Sequence, residues 1–510
     1  MSGKNGGMAR ALSPLTARFL AQTPINTLIG RRIIETTAHT GRETALYMAS
    51  ETKTPPFARF RRGDVDMTEG NIVRHILTFA FPLLVGNIFQ QLYNMVDTWV
   101  VGNYVSNAAF SAVGSVGPII NMLIGFFLGL ASGAGVVISQ YYGAKNEEKV
   151  SETVHTALLM TLAMAAVFTA AGVIMAPYMV DMMKAPDDVR PEAITYLTIY
   201  FSGVAGLMVY NIGAGVLRAV GDSRRPFYFL CVSATLNTVL DLLFVLAFDM
   251  GVAGVAWATV IAQCVSAVLV TITLTRSQSC IRLIPRRLRI SGEMLKKIIR
   301  VGIPAALQMA VTSFSNIFVQ SYINYFKTDV MAGWTAYNKI DQILFMPMQS
   351  ISLASTTFVG QNLGRNYVDR AKRGVAISLG MAAASTLIMM VPVMVFAPHF
   401  VAFFNSKPEV VAYGSMLLRA ISPFYVLCCV NQVYSGALRG AGDTRAPMII
   451  MLFSFVLFRQ IYLYVMANFI ANEIIPIAMG YPAGWLVCST ITFIYYHKAS
   501  LSKSRVVDSD

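Results

Sequence analysis

Six ionisable residues stand inside long apolar stretches of this 510-residue chain: Asp97, Asp241, Lys339, Asp341, Arg419 and Arg459. A charge embedded in a membrane-spanning segment is costly, and it marks a candidate functional group wherever it occurs. Asp97 lies about six residues before the end of the first apolar stretch. Asp241 lies eight residues before Asp249, near the corresponding end of the fifth, and Thr259 about eight residues into the sixth from that same end. At 1.5 Å per helical residue these three fall at one depth, on the order of 10 Å below an interface. Asn237 precedes Asp241 by four positions and shares its helical face. Two carboxylates, an amide and a hydroxyl at one level form an all-oxygen set, suited to a proton or to a hard cation such as Na⁺. Two carboxylates in a desolvated pocket cannot both ionise cheaply, so the pair should titrate jointly and hold a cation between them.

The other embedded charges are less specific. Lys339 and Asp341 are two positions apart, cannot share a helix face, and are not expected to pair; either could line a central cavity. Arg419 and Arg459 read as snorkelling or carbonyl-satisfying side chains, with a transport role as the lesser alternative.

The elements that must position these groups follow from composition. The chain is 55% hydrophobic and only 13% charged, against about a quarter charged in soluble domains. Twelve apolar stretches of at least 18 residues, each long enough for a hydrocarbon core of roughly 30 Å, cover 76–101, 109–139, 153–176, 192–217, 227–248, 252–274, 299–325, 331–360, 374–397, 411–437, 447–470 and 474–496. They do not alternate polar with apolar positions as outer-membrane strands do. The expected class is an all-α integral membrane protein with twelve transmembrane helices.

A net charge of +14 raises nucleic acid as a partner, but its placement argues otherwise. Of 40 Lys and Arg, eleven lie in residues 1–75 and 22 in alternate connections and the C-terminal tail, whereas only Lys184, Arg190, Lys327 and Lys407 lie in the other set of loops. By the positive-inside rule both termini are expected in the cytoplasm, and the basic charge is a topology signal. Five of six cysteines sit in apolar stretches without metal-ligand spacing, and the five histidines are scattered; no cofactor is expected, and no metal beyond a possible Na⁺.

Residues 1–66 read as a disordered, basic extension without the apolar core of a signal peptide. The remainder is duplicated. GVLRAVGDSRRP at 215–226 recurs as GALRGAGDTRAP at 436–447, with seven of twelve positions identical at an offset of 221. Gln140…Gly143 and Gln361…Gly364 keep that offset, and Phe81-Pro82 and Ile303-Pro304 match at 222. Each unit holds six helices, so both copies enter the membrane in the same direction, related by a pseudo-twofold along the membrane normal with a cavity between them. The expected organisation is a first lobe at 67–274, a linker at 275–298 and a second lobe at 299–500. In the repeated element Gly supplies a turn, Asp or Ser/Thr caps the next helix, and Pro occupies its first turn; gating through Arg218 and Arg439 is the alternative. At the repeat offsets Asp97, Asn237 and Asp241 map to Val319, Phe458 and Tyr462. The acids are confined to one lobe, as function requires and packing does not.

FPLLVGNIFQQLYNMVDTWVVG in the first span, ASGAGVVISQYYGAKN in the second, and the two GxLRxxGDxRxP elements resemble the multidrug and toxic compound extrusion family over about 67–500. The resemblance implies two six-helix lobes around a V-shaped central cavity and export coupled to H⁺ or Na⁺. Asp97, Asn237, Asp241 and Thr259 match the amino-lobe cation site of the branch named after DNA-damage-inducible protein F. Pro82 matches a bending proline, and Gln90, Tyr93 and Asn211 match positions lining that amino-terminal lobe's own cavity. The seventh span lacks the acid found there in another branch, which argues against a second-lobe cation site. The expected function is a secondary antiporter of the inner membrane, a monomer exporting organic cations, drugs or amphipathic metabolites. A lipid-linked oligosaccharide flippase of the same superfamily is the alternative. An intramembrane enzyme would want a catalytic dyad or metal set, and none stands out.

Overall fold

The structure is a computed structural model that describes residues 64–183, 186–326, 328–501 and 505–507. Of the expected extension 1–66, only 64–66 fall within them. The first half comprises α1 (Ile72–Tyr104), α2 (Asn107–Gly143), α3 (Glu147–Met182), α4 (Arg190–Ser202), α5 (Val204–Ala219), α6 (Arg224–Leu242) and α7 (Gly251–Arg276). The second comprises α8 (Gly292–Ile323), α9 (Thr328–Gly364), α10 (Val368–Val395), α11 (Ala397–Phe404), α12 (Pro408–Ile421), α13 (Tyr425–Ala441), α14 (Arg445–Met451), α15 (Arg459–Val465), α16 (Ile474–Ala478) and α17 (Gly480–Lys498).

Among the described residues eleven helical spans are long and apolar enough to cross a bilayer, and α4 with α5, bent by 48°, makes the twelfth. Their outward faces are apolar: Ile174 is 68% and Ile388 72% exposed. In water such faces would be costly, and in lipid they are the expected surface. Local signals start the helices. Asn71 Oδ1 accepts from the Arg74 amide at 3.1 Å, and Ser106 Oγ from the Ala109 amide at 3.0 Å, satisfying amides that have no intrahelical partner. α1 runs unbroken through Pro82.

The duplication is visible in backbone geometry. Gly221 and Gly442 both take left-handed φ values, +87° and +95°, and Lys145 and Asn366 do the same at +60° and +62°. Both pairs are 221 residues apart. Asp222 Oδ1 accepts from the amides of Arg224 and Arg225, and Asp443 Oδ1 from that of Ala446. The repeated Gly-Asp element therefore ends one helix and caps the next. Arg439 stays inside its own lobe, donating to Gln308 and Ser352.

Two buried apolar clusters form the interior, one mainly in each half; Met67, Ile76, Phe79 and Ala80 of the first half join the cluster of the second, and Ala306 of α8 joins that of the first. The halves meet along α2, α8 and α9 at the end of the molecule where α1 begins. Here small residues let backbones touch: a Cβ built on Gly129 would lie 2.3 Å from Ala306 Cα, and one on Gly133 2.3 Å from Gly302 Cα. This is the small-residue contact that membrane helices use when packing alone must hold them.

Candidate cation pocket and central cavity

Three helices of the first lobe bring the acidic set together. Asp97 comes from α1, Asn237 and Asp241 from α6, and Thr259 from α7. The carboxyl groups of Asp97 and Asp241 face each other in direct contact. Asp241 is fully buried, Asn237 and Thr259 are buried and Asp97 is half-buried. Asn237 Nδ2 donates to Thr259 Oγ1 at 3.5 Å, and Thr259 donates to the Val255 carbonyl at 3.1 Å. Asp97 Oδ1, both oxygens of Asp241 and Asn237 Oδ1 are buried without a donor. Ionised carboxylates only accept, so two in contact demand a shared proton or a cation. The donor set, all oxygen and doubly acidic, fits H⁺ or Na⁺. Tyr93 and Tyr196 lie within electrostatic reach of Asp97.

Gln90 links this pocket to a second feature. It is hydrogen-bonded to Tyr93 and lines a cavity of about 420 Å³ between the lobes. On α1 the cavity is faced by Asn87, Gln90, Gln91 and Asn94, an amide stripe at helical spacing, and from the second lobe by Asp341, Gln342, Asn431 and Arg459. Gln91 Nε2 donates to Gln342 Oε1 at 3.4 Å across the lobes. Asn211 does not line this cavity; it is buried and folds back to donate to the Leu207 carbonyl at 2.9 Å. Lys339 and Arg419 are exposed, the latter donating to the Met394 carbonyl at 3.3 Å. The amide stripe is readable in the sequence from its i, i+3, i+4, i+7 spacing, although of these four only Gln90 was expected at the cavity.

The end near the chain termini is sealed by a symmetric pair. Gln140 Nε2 donates to the Gly440 carbonyl at 2.8 Å, and Gln361 Nε2 to the Ala219 carbonyl at 2.9 Å. Donors and acceptors are each 221 residues apart, so one bond is the repeat image of the other. Each glutamine oxygen then accepts from a segment flanking the helices: Gln361 from the Met67 amide at 2.9 Å, Gln140 from the Val506 amide at 2.7 Å. The carbonyls just after Arg218 and Arg439 thus take part in the contact between lobes. Residues 65–70 reinforce it as a strap. The Val65 amide donates to the Val220 carbonyl at 2.9 Å, Asp66 pairs with Lys145, and Arg370 donates to the carbonyls of Met67, Glu69 and Gly70.

A sequence model of the family described as MatE matches this chain twice, at 82–243 and 304–465, one copy in each lobe and 222 residues apart. The chain belongs to the MatE family. Among MatE relatives, the probable multidrug resistance protein YpnP of Bacillus subtilis is 29% identical over 431 residues, covering 84% of this chain and 96% of its own length. The probable multidrug resistance protein NorM of Thermotoga maritima is 24% identical over 447 residues, covering 86% and 94%. The fold is that of a solved MOP-superfamily transporter from Pyrococcus furiosus, with a TM-score of 0.80 at 23% identity over 85% of this chain and 96% of that one. This MatE chain is thus an all-helical, two-lobed membrane protein of a transporter family.

Proposed function

We propose that this chain is a secondary antiporter that exports organic cations, drugs or amphipathic metabolites in exchange for H⁺ or Na⁺ by alternating access. The observation that carries the reading is the contact between the Asp97 and Asp241 carboxyls, buried in one lobe beside Asn237 and Thr259. A cation entering this pocket removes the repulsion that opposes closing α1 against α6. It shifts the lobe toward the packing in which it binds more tightly, by no more than its differential affinity for the two states. Release on the other side resets the pocket. α1 is suited to transmit the change, since it carries Asp97, faces the cavity with its amide stripe, and begins inside the core of the second lobe. The family relatives named as multidrug resistance proteins support a small drug-like substrate. The charge distribution supports an inner-membrane protein with both termini in the cytoplasm, which makes the glutamine seal a cytoplasmic gate and the structure outward-facing. The protein acts as a monomer without cofactor.

The test is counterflow of a fluorescent cationic dye into proteoliposomes under an imposed Na⁺ or pH gradient. Asp97→Asn and Asp241→Asn are each expected to abolish gradient-driven movement while the protein still elutes as a folded species in detergent. Normal cation-dependent transport by both variants would refute the assignment, and the gradient that drives the wild-type chain names the coupling ion.

A further inference from the structure

The second lobe carries a buried cation that the transport reading does not use. Arg459 is 2% exposed. Its Nε and Nη2 groups donate to Ser315 Oγ, and Nη2 also to Asn316 Oδ1 at 2.9 Å. Its guanidinium stacks between the Phe455 and Tyr481 rings, at 5.3 and 4.8 Å from their centroids. These partners are neutral, and no carboxylate pairs with Arg459 among the described residues. Its Nη1 group has no hydrogen-bond partner among the described residues, and Arg459 lines that cavity. Burying a cation without a counter-charge is costly, and its retention calls for an anion supplied from outside the protein.

Asp341, on the same cavity wall, is the converse. Its Oδ1 accepts from the hydroxyls of Tyr337 and Tyr425, and it too has no cationic partner among the described residues. Tyr481 lies close to both Arg459 and Asp341, so the two charges share one aromatic neighbour without neutralising each other. Arg459 also stands on the repeat equivalent of α6, one position after the counterpart of Asn237. The lobes therefore present opposite charge on corresponding helices.

We propose that the second-lobe face of the cavity is a recognition site for an amphoteric solute, whose carboxylate or phosphate docks on Arg459 and whose ammonium docks on Asp341. Guanidinium offers a planar fork to an oxyanion, and a cavity of about 420 Å³ is of drug-binding size. The aromatic wall of Phe345, Tyr481 and Trp485 supplies the apolar contact. The site names the substrate class of the proposed exporter. Binding at the site stands apart from the antiporter reading, and only the transport of the bound solute rests on it.

Calorimetric titration of the full chain in detergent decides the matter with three probes: a zwitterionic aryl-piperazine carboxylic acid, its methyl ester, and its N-acetyl derivative. The wild-type chain should bind the zwitterion about ten- to a hundredfold more tightly than either derivative, the range of one charge-assisted hydrogen-bonded contact. Arg459→Gln should bring the zwitterion down to the ester and leave the ester unchanged, and Asp341→Asn should weaken the zwitterion and ester but spare the N-acetyl acid. Equal wild-type affinity for acid and ester overturns the proposal without any variant, so a misfolded Arg459→Gln chain does not shelter it. Equal loss of all three probes in a folded Arg459→Gln chain also overturns it. Preserved selectivity without gradient-driven counterflow would instead sink the antiporter reading and leave this site standing.

Discussion

The glutamine seal makes a sharp prediction at the glycines beside it. A Cβ on Gly143 would lie 1.9 Å from the Gln361 carbonyl oxygen, and one on Gly364 1.9 Å from that of Gln140, where ordinary contact starts at 3.4 Å. Alanine at Gly143 therefore requires the lobes to part by about 1.5 Å at a backbone that has no free rotation to yield. That displacement takes the two glutamine bonds that run from lobe to lobe, to the Gly440 and Ala219 carbonyls, beyond hydrogen-bonding range. At about 0.5–1.5 kcal/mol each they hold the seal with roughly 1–3 kcal/mol, so even the lower figure means an approximately fivefold shift away from the sealed form. Ser139 is buried in the seam, and Ser139→Cys in a chain cleared of native cysteines reports opening through maleimide modification from the proposed cytoplasmic side. Gly143→Ala should raise that rate at least about fivefold and impair export. Gly292→Ala is the control, since α8 begins there and a Cβ meets nothing within 4 Å. If Gly143→Ala labels and transports like Gly292→Ala, the seal is not a gate.

Other expectations concern the same face. Gln140→Leu and Gln361→Leu should each open the seam by a similar factor, because their bonds are repeat images, and the double variant should exceed either; unequal single effects in the same labelling assay would deny the symmetry. Burial, with Glu147 and Asp64 nearby, pushes the Cys280 thiol up to about 12. In a chain that keeps Cys280 alone, N-ethylmaleimide should react far more slowly at neutral pH with the folded protein than after denaturation, and the folded rate should still climb above pH 9. Burial works to raise Asp66, but donors on Lys145 and Thr68 outweigh it and hold the carboxyl below its usual range. A lowered carboxylate stabilises the docked strap above the ordinary range near 4 and loses that contribution as pH falls through its own value. Hydrogen exchange at the Val65 and Met67 amides, corrected for intrinsic rate, should therefore stay protected from pH 8 to 5.

Most of the fold was legible because membrane solvation leaves few alternatives. Eighteen apolar residues without charge read as a crossing, and the repeat fixed how crossings group. The break in the fourth span was hidden, since Gly203 looks like any intramembrane glycine. Only the packed lobe shows that a Cβ there would meet Val260 at 2.2 Å. The depth argument for Asp97, Asp241 and Thr259 came from counting residues, and the structure brings them together. It also places Asn211 in the buried interior of the first lobe, donating to the Leu207 carbonyl, and sets Asp341 and Arg459 of the second lobe on the central cavity. Residue type flagged Asp341 and Arg459, but whether a guanidinium snorkels to an interface or stacks between rings depends on helices distant in sequence. Gln140 and Gln361 were seen as repeats. A repeat says which residues are equivalent and not which carbonyl each one meets, and here each meets the other's lobe.

The strap between Val65 and Gly70 grips both lobes at once, through Val220 and Lys145 on one side and Gln361 and Arg370 on the other. Opening must therefore peel this segment from at least one partner before the halves can rock. A bulky domain inserted directly before Asp64 would sit on that hinge and act as a brake, whereas one set off by a long flexible spacer would leave the rocking motion free.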